Sequence, residues 1–562
     1  MSTRRFGLKR ATLKEDAVAG VVLGVQSVPD GLAAGLLAAV NPVFGLYAYM
    51  VGTFTGAIFT SSAFMAVQAT GAMAIVIADV DAVRGGDDPA GALFMLSILT
   101  GIVMLGLGLF KLGTIVRFVS NAVMVGFLNA VGLNIILGQL DSFTGYEAEG
   151  ANRVLRAFDT LFNLGQTHFI TILMGVATIV LIVVLEKTRL GALGMVVAIV
   201  ATSAVVAGFG IDGVAQLKDI VSIPNSLPTP VVPSFGSITS LVVPAISLAF
   251  VGLVQGAGIS GNFANPDGRH PDASRDFIGQ GAANVAVGVF QGMPVGGSMS
   301  ATSLVTSAGA RSRQALMIAG VVMAVVIVVF AGAVEYIAMP GLAGLLMLVG
   351  YRTIKPADLV SVWKTGKVQA VVLSVTFVLT MIIPLQNAVL VGVGISMILY
   401  VIRQSNDVIM KRWVFEDDGT ILEQSAPTEI GSNEVIVLQS YGSLFFAAAP
   451  VFEKELPKVT ADSRNSVVIL RMRGRNDVGT TFMDVLRRYA ESLAGVGSKL
   501  VIVSATERIQ EQLEVTRVTA VVGSENIYST DERLNATLRR AHADALSWVA
   551  GNAGDDDTGG DF

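Results

Sequence analysis

Two apolar segments of this chain break where a membrane helix should run on. They are 64–78, FMAVQATGAMAIVIA, and 292–309, GMPVGGSMSATSLVTSAG, and each sets glycines and hydroxyl residues among hydrophobic ones. Each lies roughly fifty residues into its half of the apolar region, and interrupted segments in corresponding positions of two halves are the sequence mark of a membrane binding site. The start of a half-helix exposes unpaired N–H groups and the positive end of its dipole. Two such starts facing each other at the bilayer midplane are expected to hold an anion.

The surrounding sequence has the texture of a membrane protein. Of 562 residues, 52% are hydrophobic and 14% charged, with a mean hydropathy of +0.66, against about 25% charged residues in an ordinary soluble domain. Apolar runs of membrane length or half-length recur about fourteen times, at 17–40, 43–60, 64–78, 91–110, 115–138, 168–185, 190–208, 239–262, 276–291, 294–309, 314–335, 337–351, 368–384 and 387–403. A polytopic α-helical membrane protein is the expected class. The basic start MSTRRFGLKRATLKED lacks a cleavage site and is read as a retained cytoplasmic segment, residues 1–16. With that end inside, inward loops carry Lys111, Arg117, Lys187, Arg189, Arg311, Arg313, Arg352, Lys355, Lys364 and Lys367, while outward loops are richer in Asp and Glu. This bias places both termini on the cytoplasmic side of the cell's inner membrane.

Several function classes drop out. A net charge of −5 and the lack of an Arg/Lys run interleaved with aromatics argue against nucleic-acid binding. With no cysteine there is no disulfide, thiolate metal site or thiol catalysis, and His168, His270 and His542 are too widely spaced to suggest a metal centre. GAGISG at 256–261 matches a dinucleotide pattern in form, but it follows a membrane-length apolar run instead of a short strand, so helix packing explains it better. No nucleophile, base and acid arrangement suggests an enzyme, and no cofactor is expected.

After Arg412 the texture changes. Strand-like EVIVLQS, SVVILRM and KLVIVSA alternate with helical TFMDVLRRYAESLAG and DERLNATLRRAHADALSWVAG, the pattern of a small α/β domain. The division expected is a transport region at 17–412, a linker at 413–433, the α/β domain at 434–550 and a disordered acidic tail at 551–562.

SVPDGLAAGLLAAVNPVFGLYAYMVG near the start, SIPNSLPTPVVPSF at 222–235 and GQGAANVAVGVFQGMPVGGSMSATSLVTSAGARS, with Asn284, Gly292, Pro294, Ser298 and Gly309, together resemble the sulfate permease (SulP) family of anion transporters. The C-terminal domain, with GSLFFAAAPVFEKEL, resembles a STAS domain. The resemblance implies about fourteen segments in a seven-plus-seven inverted repeat, divided into a mobile core and a gate. It implies an anion bound between the third and tenth segments, elevator-type alternating access and a homodimer in the lipid bilayer. The chain departs from the family at three places. Ala301 stands where many members have arginine, Gln255 where an acidic residue is common, and Asp30 where glutamine is usual. The segment containing ATGAMA is closer to the bicarbonate branch. Without an acid at position 255, proton coupling is expected ahead of sodium, and loss of the arginine lowers the positive charge of the site.

The site residues follow. Thr70 and Gly71 at one helix start, and Ser298, Met299, Ser300, Ala301 and Thr302 at the other, are assigned to the anion, although small residues also serve simple close packing. Gln255 is either a polar ligand of this site or an interhelical hydrogen bonder. Asp30 follows Pro29 inside an apolar run, where an ionised group is costly, so it is expected to carry a proton when the anion is bound and to couple transport. The alternative is a headgroup position. In the STAS-like domain the family's Asp-Ser/Thr-x-Gly appears as Asp477, Val478, Gly479, Thr480. Thr480 is then either a regulatory acceptor or, more plainly, a helix N-cap. The readings kept open are a sodium-coupled bicarbonate transporter, a nucleobase transporter of the same architecture, and a passive anion channel or membrane sensor.

Overall fold

The computed structural model describes residues 12–112, 120–406, 408–442, 444, 446–475, 477–533 and 535–553. The basic residues before Thr12, Arg117 with the beginning of segment 115–138, and tail residues 554–562 lie outside them. The chain divides into two units, Met1–Ser396 and Met397–Phe562.

The first unit is helical. Its main elements are α1 (Leu13–Leu37), α2 (Pro42–Phe59), β1 (Ala66–Gln68), α3 (Gly71–Ala78), α4 (Pro89–Leu109), α5 (Asn121–Gly138), α6 (Phe169–Glu186) and α7 (Leu193–Phe209). Then come α8 (Ile238–Asn262), α9 (Ala273–Val289), β2 (Gly296–Ser298), α10 (Met299–Ser307), α11 (Gln314–Val334), α12 (Met339–Thr353), α13 (Lys367–Ile382) and α14 (Leu385–Asn406), the last crossing the division after Ser396. Seven of the described helices are long and apolar enough to cross a membrane. Local chemistry sets where they start. Asn41 accepts from Val43 N at 3.0 Å ahead of Pro42, Asp88 from Gly91 N at 2.9 Å ahead of Pro89, and Asp272 from Arg275 N at 2.9 Å; side-chain caps before a proline or a small residue are strong initiators.

The inverted repeat is legible in element lengths. A 25-residue helix, a helix of 18, a strand with an 8-residue half-helix and a helix of 21 in the first half answer to 25, 17, strand plus 9, and 21 in the second. The halves interlock. α1 packs along α11 as α8 does along α4, and α2 crosses α9, whereas α5 packs on α12 and α13, and α6 on α7 and α12. Two sets of helices result, α1–α4 with α8–α11 and α5–α7 with α12–α14. Close backbone approach holds the first set together: a methyl on Gly45 would lie 2.1 Å from the carbonyl of Gly31. Of the most apolar stretch, only 28% is buried in α11 and 22% in α6, against 67% in α2, so α11 and α6 keep apolar faces for lipid.

Buried carboxylates cap backbone from other helices. Asp16 of α1 accepts from Arg311 N at 2.7 Å, Ser312 N at 2.9 Å and Ser312 Oγ at 2.6 Å, just before α11. Asp276 of α9 does the same for Ser61 N at 2.7 Å and Ser62 N at 3.0 Å, and takes Ser260 Oγ at 2.7 Å. Each is 0–1% exposed, a depth at which a carboxylate persists only when its oxygens are fully bonded.

The second unit is a six-stranded sheet ordered β4-β3-β5-β6-β7-β8, with β3 Ile409–Phe415, β4 Ile421–Ser425, β5 Val435–Tyr441, β6 Val467–Arg471, β7 Lys499–Ala505 and β8 Ile527–Ser529. β5 to β8 run parallel and the β3–β4 hairpin is antiparallel. Leu438, Val468, Leu470 and Ile502 face α15 (Ala449–Glu455), α16 (Thr480–Ala494) and α17 (Glu507–Val515), while Val437, Ile469 and Val503 face α18 (Ala536–Ala553). Parallel strands covered on both sides read as unbroken apolar runs, as VVIL does. Two expected boundaries change. Residues 413–433 are not a linker, because Trp413 and Phe415 pack with α18 and the 416–420 turn closes a hairpin that extends the sheet. α18 continues to Ala553, so the tail does not begin at 551.

A prediction follows for truncation. A chain ended after Asn406, before β3, is expected to keep equilibrium anion binding with reduced expression or turnover. Ending it near Gly431 leaves a hairpin without its β5 partner, an unpaired edge prone to association. Size-exclusion chromatography and anion binding on both truncations check this, and loss of binding in a monodisperse 406-residue chain would contradict it.

Candidate functional site

At the centre of the first unit β1 and β2 cross antiparallel, with Ala66 opposite Ser298, Val67 opposite Gly297 and Gln68 opposite Gly296. All six residues are buried. An unpaired peptide group costs several kcal/mol in a water-free interior, and neighbouring side chains answer several of them. Thr302 Oγ1 accepts from Ala66 N at 3.1 Å and donates to Ser298 O at 2.6 Å. Tyr49 OH donates to Ala69 O at 2.8 Å, and Gln68 Nε2 donates to Ser27 Oγ at 2.9 Å and Thr53 Oγ1 at 3.1 Å. Along the β2 stretch, α9 lends two amides one turn apart. Asn284 takes Val295 N at 2.9 Å and donates to Val295 O at 2.7 Å, while Gln280 Oε1 takes Gly297 N at 3.0 Å. The two side chains serve as a further strand edge.

From this crossing two half-helices leave. Thr70 caps α3, its Oγ1 accepting from Met73 N at 3.4 Å and donating to Gln255 Oε1 at 3.0 Å. Ser298 caps α10, its Oγ accepting from Ala301 N at 3.3 Å with Ser300 Oγ 3.2 Å away. In each helix the first N–H groups lie ahead of any intrahelical acceptor. One turn of α8 borders both starts. Gln255 meets Thr70, and Gly258 lies beside Met299, whose Cε is 3.5 Å from where a Gly258 methyl would sit. Three residues along a helix span about 4.5 Å. Glycine permits the approach: a methyl on Gly297 would lie 3.3 Å from Gly256 Cα, and one on Gly256 only 2.6 Å from Gln280 Nε2.

The expected site residues therefore divide. Thr70, Gly71 and Gln255 are partly exposed and Met299 and Ser300 exposed, whereas Ser298, Ala301 and Thr302 are buried. Thr302 is committed to joining β1 to α10, and Ala301 packs with Ala57, Ala66 and Ala315. Asp30 lies inside α1, partly exposed, one turn past the Ser27 that receives Gln68, and beside Tyr49. It is thus brought near the start of α3. Thr480 does not cap α16. Gly479 holds the cap position and Thr480 is the first helical residue, its side chain exposed and making no capping bond. Hydrogen bonds from Gln512 and then the charge of Arg508 hold the neighbouring Asp477 carboxyl below its ordinary range. No cluster of three His, Cys, Asp or Glu side chains occurs among the described residues.

Residues 13–376 match the family model described as the sulfate permease family, and residues 427–533 match that of the STAS domain. The chain belongs to the sulfate permease family. This sulfate permease family member is 24% identical over 542 residues to a Mycobacterium tuberculosis protein named "Probable sulfate transporter Rv1739c", covering 93% of this chain and 94% of that one. It is 25% identical over 426 residues to human Solute carrier family 26 member 6, covering 70% of this chain and 56% of that one. Its fold is that of the murine Solute Carrier 26 family member A9 anion transporter, solved in the inward-facing state, at TM-score 0.83, 18% identity and coverage of 96% and 93%. The transmembrane domain of the cyanobacterial bicarbonate transporter BicA aligns at TM-score 0.58 and 21% identity, covering 70% of this chain and 98% of that one. These relatives are named as transporters, and the chain is an integral membrane protein of a family of anion transporters.

Sequence reading did not single out Gln68, Tyr49 or Gln280. The available signal was Gln280 and Asn284 at i, i+4 on a stretch of α9 that, after Asp276, is otherwise built of small and apolar residues, a spacing that puts two amides on one face. Replacing Gln280 by Leu removes the acceptor for Gly297 N–H and is expected to raise the half-saturation concentration for anion about tenfold, the worth of one net hydrogen bond. Gln280→Glu keeps an acceptor but adds charge, so its half-saturation concentration should become pH-dependent, rising as the new acid ionises. Flux measured across pH checks both; a pH-independent result for Gln280→Glu together with a wild-type value for Gln280→Leu would contradict the assignment.

Proposed function

We propose that the protein is a secondary active transporter of a small anion, bicarbonate, sulfate or a related inorganic or carboxylate ion, driven by protons through elevator-type alternating access. The observation that carries this reading is the pair of capped half-helix starts bordered by a single turn of α8. The anion is taken up by the first N–H groups of α3 and α10, the hydroxyls of Thr70 and Ser300, and the amide of Gln255. No cationic side chain is among these groups, so its charge is met by helix dipoles and hydrogen bonds. Such a site suits a monovalent anion or one carried with a cation.

The helix set α1–α4 with α8–α11 is the mobile core, and α5–α7 with α12–α14 the gate. The core carries both half-helices, so the anion travels with it. The protein works as a homodimer in the inner membrane with both termini cytoplasmic, an arrangement supported by the family and by the Lys/Arg distribution. Asp30, on a core helix beside the start of α3, is the coupling group. An ionised carboxylate 4–8 Å from the anion repels it by roughly 2–4 kcal/mol at an effective dielectric near 20. The neutral acid removes that repulsion, so a proton and an anion load together and leave together.

Uptake into proteoliposomes is accordingly expected to rise as the outside is acidified. Asp30→Asn, a permanent mimic of the neutral acid, should keep exchange of bound anion and lose acceleration by a proton gradient. The measurement is flux of labelled sulfate and bicarbonate at two external pH values, with and without sodium. Normal proton-driven accumulation by Asp30→Asn would remove Asp30 from coupling; dependence on sodium would favour the sodium-coupled bicarbonate reading, and flux that never exceeds equilibrium would favour a channel.

A further inference from the structure

Asp79 ends α3. It takes the C-cap position, where a carboxylate faces the negative end of the helix dipole and is unfavourable unless its charge is met elsewhere. Both oxygens are met, and both by the other helix set. Oδ1 receives Arg153 NH2 at 3.0 Å, from the short helix Arg153–Phe162, and Oδ2 receives the backbone N–H of Leu385 at 3.0 Å. Leu385 opens α14 directly after Pro384, a residue with no side-chain acceptor, so that helix takes its capping carboxylate from α3. The stem of Arg153 passes 3.6 Å from where a Gly138 methyl would sit, at the end of α5. The side chains of Arg153 and Asp79 are only 21% and 18% exposed, so the pair is screened less than a surface ion pair.

The position of this carboxylate is what gives it meaning. Asp16 and Asp276 cap backbone in trans by the same device, but each joins helices of its own set. Among the described residues Asp79 is the one carboxylate of α1–α4 or α8–α11 that bonds α5–α7, α12–α14 or the short helix between α5 and α6. We propose that Asp79, Arg153 and the start of α14 form a latch that holds the Asp79 end of the transporter closed and must open each time the core moves. The proposal rests on the core-and-gate reading given above. Since α3 also carries the anion-binding start at Gly71, release of its far end and displacement of the site are one motion of an eight-residue helix.

The latch weights the two access states unequally. Loosening it should favour the state open on the Asp79 side. Arg153→Gln removes the ion pair and keeps the α14 cap; Asp79→Asn does likewise, because an asparagine oxygen still accepts from Leu385 N–H. Each is expected to lower the half-saturation concentration for sulfate or bicarbonate on the Asp79 side of the membrane by roughly threefold to tenfold and to raise it on the other side, with the double variant no stronger than either single one. Sidedness separates a latch from general loosening, which would move both values together. Cysteine pairs supply the second arm, since the chain has no cysteine of its own. Asp79→Cys with Arg153→Cys, joined by a short reversible thiol crosslinker, should stop flux until reduced. Unchanged half-saturation values on both sides in Arg153→Gln and Asp79→Asn, with flux still blocked by the crosslink, would overturn the latch while keeping a moving core. Full flux in the crosslinked protein would overturn the moving core itself.

Discussion

The antiparallel pairing of β1 with β2 is the contact on which the membrane unit depends. A chain that stops being helical inside a membrane leaves peptide groups unsatisfied, and such breaks persist only where protein answers them. Here the answer is shared among Thr302, Tyr49, Gln280, Asn284 and the strands themselves. Once those groups are satisfied, Gly71, Met299 and Ser300 at the two helix starts can be partly or fully exposed while the strands stay buried. The proposed anion site is thus a by-product of how the break is closed, and side chains outside it, such as Gln280, decide where the backbone donors point.

The same economy of polar groups governs the rest of the unit. Side chains that would be costly in an apolar interior are placed where they cap backbone from another helix, as Asp16 and Asp276 do. Each joins segments far apart in sequence and so contributes to tertiary order as well as to local satisfaction. Around them glycine and alanine let helices approach until backbone meets backbone, replacing a hydrophobic driving force that lipid does not supply.

In the second unit the packing is that of an α/β sheet domain. Alternate faces of the inner strands bury apolar side chains under α15, α16 and α17 on one side and α18 on the other. The β3–β4 hairpin broadens the sheet, and Arg471 lies over the Trp413 ring with its centroid 4.6 Å away. Val478 stands where the family pattern Asp-Ser/Thr-x-Gly has its hydroxyl residue, and Thr480, two residues on, is exposed and has no capping role.

What the sequence determined by itself is what depends on neighbours along the chain. The membrane-length runs, the two interruptions, the caps Thr70 and Ser298 and the strand–helix alternation after Arg412 are all written in local composition and spacing, and the motifs sufficed for the family. Only the tertiary structure decided what depends on partners remote in sequence. It committed Thr302 to Ala66, 236 residues away, and left Ser300 and Met299 exposed at the helix start. It also turned much of the expected linker, up to Ser425, into a hairpin of the sheet, since strand pairing is a property of two segments and neither alone reveals it. Asp79, in the sequence one acid just past segment 64–78, became a bond between two helix sets when Arg153 and Leu385 met it. A carboxylate's partner is chosen by packing, and packing has no period in the sequence.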